Sequence, residues 1–261
     1  MRVLVRGIGD VASAVAHAAH REGCSVLMLD APAPAHSRRG MAFTDALFEG
    51  RSVLDGVLCK RSRPGSHARA MLDCRKAIPA LDCSLAQALD LGAFDVLVDA
   101  RMRKRTTPER QIGLAPLTIG LGPNFCAGES VDFAIETQWG DDLGAVVVRG
   151  ATAPLAGEPN PIDGHARDRY VYASRSGLFL TDRRIADAVR AGEIVAWIGT
   201  TPLVAPLSGC LRGLTHHGAF VNARTKVIEI DPRGRPEQVF GIGERPRRIA
   251  QGALRCISGC Q

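Results

Sequence analysis

The chain has 261 residues, 46 % of them apolar and 23 % charged, with a formal charge of +6 and 8 cysteines. That length holds one large domain or two modest ones with real cores. Two Trp and two Tyr are too few for a surface of stacked aromatics, and no basic tail is present. The composition therefore excludes a nucleic-acid binder and favours small anionic ligands or acidic partners.

In chain order, RVLVR (2–6) reads as a buried strand. Ala and Val at 12, 15, 16 and 19 make one helical face, and Gly23 is a natural stop. CSVLMLD (24–30) is a second strand, so the opening is a β-α-β unit with a right-handed crossover. Between strand and helix, Gly7 permits a tight turn, Gly9 admits a phosphate close to backbone, and Ala12 allows close packing of the helix. Asp30 falls where dinucleotide folds place a ribose-binding acid. Asp10 puts negative charge at the loop mouth, where it also serves as a helix cap without any ligand. NAD(P) is the cofactor class this loop suggests, and a purely structural loop is the equal alternative. Arg38 and Arg39 read as a solvated basic loop in preference to an anion contact.

Residues 85–92 read as a helix and FDVLVDAR (94–101) as a strand. Asp99 and Arg101 close that strand at the carboxyl end of the sheet, where α/β ligands collect, either as a site or as a local ion pair. APLTIGLGP (115–123), VDFAIET (131–137) and AVVVRG (145–150) follow as strands. In IGLGPNFCAG (119–128), Gly120, Gly122 and Gly128 offer backbone amides for an oxyanion. Cys126 inside that loop is a candidate nucleophile or sulfur carrier, with a small buried hydrophobe the commoner outcome. Glu136 is a candidate general base or a sheet-end carboxylate. Catalytic candidates are thus Asp99, Cys126 and Glu136. Arg101 and the three glycines join Gly7, Gly9, Asp10, Ala12 and Asp30 as ligand-binding candidates. Short basic knots lie at 101–105 and 245–248. Cys256 and Cys260 lack a second pair, and His216-His217 point apart on a turn, so no metal site is expected.

Residues 151–164 are rich in Pro, Gly and Asn and read as a linker between a 1–150 domain and a 165–261 domain ending in a helix. The second part contains an internal repeat. Ala173 aligns with Ala205, Gly177 with Gly209, Val189 with Val221, Val195 with Val227 and Ile198 with Ile230, each pair offset by 32. Two such copies can interlock about a quasi-twofold axis, a pattern resembling the barrel-sandwich hybrid of biotinyl and lipoyl domains. The hairpin 198–204 has no Lys to modify, so a docking module is expected in place of a carrier. The expected fold is α/β: an N-terminal Rossmann-like parallel-sheet domain followed by an all-β barrel-sandwich hybrid domain.

Along nearly its whole length the chain resembles the YqeB-type family. The resemblance rests on VLVRGIGDVASAVAH, RRGMAFTDALFEG, DVLVDARMRKR, APLTIGLGPNFCAG, AIETQWGDDLG, VAPLSGCLRGLTHHG and VIEIDPRG. It implies a maturation factor for selenium-dependent molybdenum hydroxylases, partnered by the hydroxylase or its maturation proteins, with a molybdopterin nucleotide added to NAD(P) as a possible ligand. An NAD(P)-dependent oxidoreductase and a non-enzymatic scaffold are the competing expectations, although no Tyr-x-x-x-Lys pair is present. No apolar run reaches the roughly 20 residues that span a bilayer, and no leader pattern precedes the first strand. A cytoplasmic protein with reduced thiols, no membrane contact and a possible homo-oligomeric state is expected.

Overall fold

The structure, a computed structural model, describes residues 1–103, 106–155 and 159–259. Lys104 and Arg105 of the first basic knot, part of the linker, and Cys260 lie outside the described residues.

The first layer group runs β1 (Arg2–Arg6), α1 (Asp10–Arg21), β2 (Ser25–Leu29), α2 (Ala46–Glu49), β3 (Arg51–Leu54), β4 (Val57–Arg61), α3 (Ser66–Cys74), β5 (Ile78–Leu81), α4 (Leu85–Leu89), β6 (Val96–Asp99), β7 (Leu117–Leu121), β8 (Cys126–Ala127), β9 (Phe133–Ile135), β10 (Val146–Val147) and β11 (Gly150–Ala151). Nine of these strands form one sheet in the order β10-β9-β7-β6-β1-β2-β5-β4-β3. β1, β2, β6 and β7 are apolar runs buried on both faces, as parallel central strands must be.

The sheet is mixed, which corrects the expected parallel Rossmann-like domain. β3 pairs antiparallel with β4 at one edge and β10 antiparallel with β9 at the other. After β6 the alternation of strand and helix also stops. The β6–β7 connection carries Pro108, Gly113 and Pro116, which break helical periodicity. The face left bare is covered by a helix from the far end of the chain, α5 (Glu244–Ser258). Ile249, Ala250, Ala253 and Ile257 of α5 join Val11, Val15 and Ala19 of α1 in one core, although the sequence reading grouped this helix with the second domain. α5 sits close against the turn before β10 because position 252 is glycine: a Cβ there would lie 2.3 Å from the Gly144 carbonyl oxygen. On the opposite face, Leu4, Leu27, Leu81 and Leu97 pack against Ala68 and Leu72 of α3 and Ala88 of α4.

The remaining strands are β12 (Tyr170–Tyr172), β13 (Gly177–Leu180), β14 (Ala188–Val189), β15 (Ile194–Ile198), β16 (Thr201–Val204), β17 (Gly209–Leu214), β18 (Phe220–Val221) and β19 (Lys226–Asp231). They form two four-stranded antiparallel sheets, β12-β19-β17-β14 and β16-β15-β13-β18. Each sheet takes strands from both sequence copies, and Phe179, Val195, Ile198, Leu211, Val227 and Ile230 fill the space between them.

This region is not the appended biotinyl/lipoyl-like unit of the sequence reading. Its first sheet is built into the nine-stranded group through the segment 36–41. Leu214 N donates to Ser37 O at 2.7 Å, Arg39 Nε donates to Leu214 O at 2.8 Å, and the His216 ring stacks on Phe48 at 4.0 Å.

Candidate functional site

At the carboxyl end of β1 the glycine loop has the expected backbone. Gly7 has φ +115, and a Cβ there would lie 3.0 Å from Ala100 O, so the turn needs glycine. Ala12 is fully buried beside it. Three donors of the loop, however, are engaged by the chain itself. Gly7 N bonds Leu29 O at 2.7 Å, Ile8 N bonds Asp30 Oδ2 at 2.8 Å, and Val11 N bonds Asp10 Oδ1 at 3.0 Å. Asp30 also accepts from Ala31 N at 2.7 Å and contacts His36 Nε2 at 2.9 Å. The His36 ring covers Gly9, with Nδ1 only 3.2 Å from where a Cβ would sit. Burial lowers the His36 pKa, but the hydrogen bond to Asp30 and the charges of Asp30 and Asp10 together outweigh it, and the net shift is upward. The approach a phosphate would use is filled by His36, and Asp30 is spent on holding the loop. This geometry gives the physical reason against the nucleotide reading.

The second loop is packed in a similar way. Gly120 makes room for the Phe125 ring, which a Cβ would meet at 2.2 Å. Gly122 carries a positive φ of 112 and Gly128 one of 84. Thr152 Oγ1 donates to Gly122 O at 2.7 Å, and Cys126 N donates to Ser130 Oγ at 3.0 Å. Desolvation and the neighbouring Glu129 carboxylate push the Cys126 thiol up, opposite to what a nucleophile or sulfur carrier there would need.

Asp99 and Arg101 do meet, as one pair within a larger network. Asp99, almost fully buried, accepts from Arg101 Nε at 3.0 Å and Gln111 Nε2 at 2.6 Å, with Arg6 Nη1 at 3.5 Å. Glu109 closes the network on Arg6, Arg101 and Arg103. Burial raises the Asp99 pKa, but the hydrogen bond from Arg101 and the charges of Arg101 and Arg6 hold it low, so it stays ionised. Glu136 is likewise saturated, its carboxylate accepting from the backbone of Thr137, Gln138 and Ala153 at 2.7 Å each.

The densest chemistry lies where β19 faces the carboxyl edge of the large sheet. Glu229, 0 % exposed, is held by Arg38 through two bonds of 2.9 and 3.1 Å, by Lys226 Nζ at 2.7 Å and by Arg169, with Arg212 Nε at 3.3 Å. Arg38 also pairs with Asp10 at 3.0 Å, which ties this cluster to the first residue of α1. Tyr170 lies beneath two cations, Lys226 Nζ at 4.4 Å and the Arg169 guanidinium at 4.5 Å from its ring. Arg245, in the first turn of α5, donates to Thr137 O at 2.9 Å and has no carboxylate within 4.0 Å among the described residues.

The field here is positive. Burial alone would raise the Glu229 pKa, yet Arg38 and Lys226 hold it well below the usual carboxylate range. Asp10 is likewise held low despite its burial, by Arg38, Arg245 and Lys226. Desolvation, reinforced by Arg38, brings Lys226 down to about 8 even though it touches Glu229. Arg245 is also lowered, by desolvation and then by Arg38, with Asp10 opposing. Arg38 and Asp10 are each 23 % exposed and Lys226 is 27 % exposed. These groups are largely enclosed by the protein and still reach solvent. Among the described residues no group of three or more His, Cys, Asp or Glu is placed to hold a metal.

The sequence reading named Asp10 of this cluster, weighed Arg38 as a solvated residue, and missed Tyr170, Arg169, Arg212, Lys226, Glu229 and Arg245. A signal was available in the repeat. The 32-residue offset pairs Leu180 with Arg212, Ile194 with Lys226 and Trp197 with Glu229. Charges thus replace apolar residues at matching strand positions.

Comparison with known proteins adds the family. The chain is 33 % identical over 255 residues, 98 % of its own length, to a protein of Escherichia coli (strain K12) named "Uncharacterized protein YqeB". The chain belongs to the YqeB-type family. It spans 47 % of that relative, about half its length. No family model matches.

Solved structures similar to this YqeB-type chain include a succinylglutamate desuccinylase/aspartoacylase from Rhodobacter sphaeroides. It is 28 % identical with a TM-score of 0.22, over 24 % of this chain and 21 % of that one. A succinylglutamate desuccinylase from Silicibacter sp. is 13 % identical with a TM-score of 0.25, over 88 % and 84 %. The product-bound ectoine utilization protein EutE (DoeB) from Ruegeria pomeroyi is 17 % identical with a TM-score of 0.23, over 28 % and 23 %. At TM-scores this low they carry no argument for a hydrolase. The mixed sheet and the occupied glycine loop correct the expected fold pairing and its nucleotide site, and the name of the relative carries nothing of the molybdenum-hydroxylase maturation role that the resemblance implied. No described helix is long and apolar enough to cross a membrane.

Proposed function

We propose that the chain binds a small anion of the phosphate or carboxylate class in the crevice between β19 and the carboxyl edge of the nine-stranded sheet. The observation that carries this reading is the imbalance of charge around Glu229. Arg38, Arg169, Arg212, Lys226 and Arg245 gather there, five cations against the carboxylates of Glu229, Asp10 and Asp231, the last paired with Arg212 at 3.4 Å. A donor is in excess as well: Arg169 Nε is buried without a hydrogen-bond partner among the described atoms. A cation brought out of water and set beside other cations is destabilised unless an anion meets it. An anion in the crevice supplies that partner.

Arg245 uses Nε on Thr137 O, which leaves the two Nη groups for a planar two-point contact with a carboxylate or phosphate. Arg38 is fixed from both sides by Glu229 and Asp10 and presents a preorganised charge. Lys226, titrating near 8, is the group in the crevice suited to moving a proton to or from the ligand.

The test is thermal denaturation at constant ionic strength with inorganic phosphate, sulfate and succinate, in the wild type and in Arg245→Gln. A concentration-dependent rise in Tm is expected for at least one probe in the wild type, because a ligand that binds only the folded state stabilises it. In Arg245→Gln the rise, measured from that variant's own Tm without ligand, should shrink. No rise with any probe would overturn the reading.

A further inference from the structure

The crevice uses the outer face of one four-stranded sheet, and the repeat places an equivalent face on the other. Across β16-β15-β13-β18 that second face carries Phe220 beside Leu178, Leu180 beside Trp197, Trp197 beside Pro202, and Ile194 beside Val204, all in cross-strand register. The six large residues among these are between 37 % and 58 % exposed, and no charged residue interrupts them. Shifted by 32 positions, the same sites are Ala188, Cys210, Arg212, Glu229, Tyr170, Lys226 and Tyr172. Those residues lie on the sheet that docks the nine-stranded group. The chain has therefore written charge into one docking face and apolar side chains into its counterpart, which nothing among the described residues covers.

We infer that the apolar face of β16-β15-β13-β18 is the interface with a second copy of this chain. The exposed side chains together present roughly 600 Å², the top of the range for the largest apolar patch of a monomer. Packing two such patches face to face removes roughly 1,200 Å² from water, which meets the size of a stable specific interface. A second copy suits the face because two identical twisted sheets stack in the aligned sandwich arrangement, about 10 Å apart. A twofold axis also matches an uncharged surface to itself without needing a complementary charge pattern. The inference stands apart from the anion crevice, which lies on the other sheet.

Analytical ultracentrifugation of the wild-type chain over a wide concentration range is expected to show a species of twice the chain mass. Leu178→Glu combined with Phe220→Glu should be monomeric while keeping the far-UV circular dichroism of the wild type. A second variant guards against misfolding: Trp139→Phe leaves Trp197 as the sole tryptophan. Its acrylamide quenching should be weak in the dimer and strengthen on dilution. A monomeric wild type at all concentrations, a dimer unaffected by the two glutamates, or a Trp197 quenched equally at every concentration would each overturn the inference.

Discussion

Glu229 shows how one side chain sets the properties of its neighbours. It is the buried acceptor on which Arg38, Lys226 and Arg169 converge. Removing its charge leaves buried cations facing one another, a change that destabilises proteins by about 3–5 kcal/mol. Glu229→Gln should therefore lose at least that much in urea denaturation, with an unchanged m-value. The pH dependence follows from the direction of the shift. A carboxyl group whose folded pKa is lowered contributes its full stability above the unfolded value, about 4. That contribution is lost as pH falls through the lower folded value. The wild type should thus lose stability in acid more steeply than Glu229→Gln.

Lys226 has the opposite consequence. Its folded pKa of about 8 lies below the ordinary lysine value of 10.5, so the unfolded chain holds more protons between the two. Stability should rise with pH across that window. Lys226→Met should abolish the rise, which equilibrium denaturation at a series of pH values would show. At this scale the sequence was only partly legible. Gly7, Gly9 and Ala12 announced a strand-turn-helix geometry, and that geometry is present. Whether the turn was open depended on His36 and Arg38, whose positions are set by contacts with Asp30 and with Glu229, 191 residues further on. No local pattern encodes such contacts.

Among the elements, α5 is the one whose placement matters most. Gly252 lies in a helix interior, where alanine is intrinsically better by roughly 1 kcal/mol. Its Cβ would nevertheless fall 2.3 Å from Gly144 O. Gly252→Ala should therefore destabilise the chain, by about 1–3 kcal/mol as overpacked sites do, lowering the Tm. A gain in stability would mean that α5 does not sit this close to the 136–145 turn. Buried apolar strands such as β1, β2 and β7 were legible because both of their faces are covered. The β3–β4 hairpin was not read, although Asp55-Gly56 between two apolar runs is a hairpin signal. Both residues have positive φ, 43 and 80, as the tight turn requires. The missing helices after β6 and β7 were harder to foresee, because their place is taken by a segment that begins at Glu244.

For the whole molecule, the 32-residue repeat was the most informative feature of the sequence. Its copies occupy matching strands of the two small sheets, and the departures from symmetry separate the two outer faces. The charged face meets the carboxyl edge of the large sheet and forms the crevice. Closing the two groups around Arg38, Asp10 and Glu229 is what makes the site, so neither group carries it alone.

The central claim, that this crevice takes a small anion, is tested most directly by calorimetric titration with sulfate and succinate between about pH 7 and pH 9.5, a window in which both probes keep a fixed charge and Lys226 loses its own. The account predicts binding at the lower pH, a progressive loss of affinity as pH rises through about 8, and no such pH step in Lys226→Met. Absence of binding by both anions, or an affinity unchanged across that range, would contradict it.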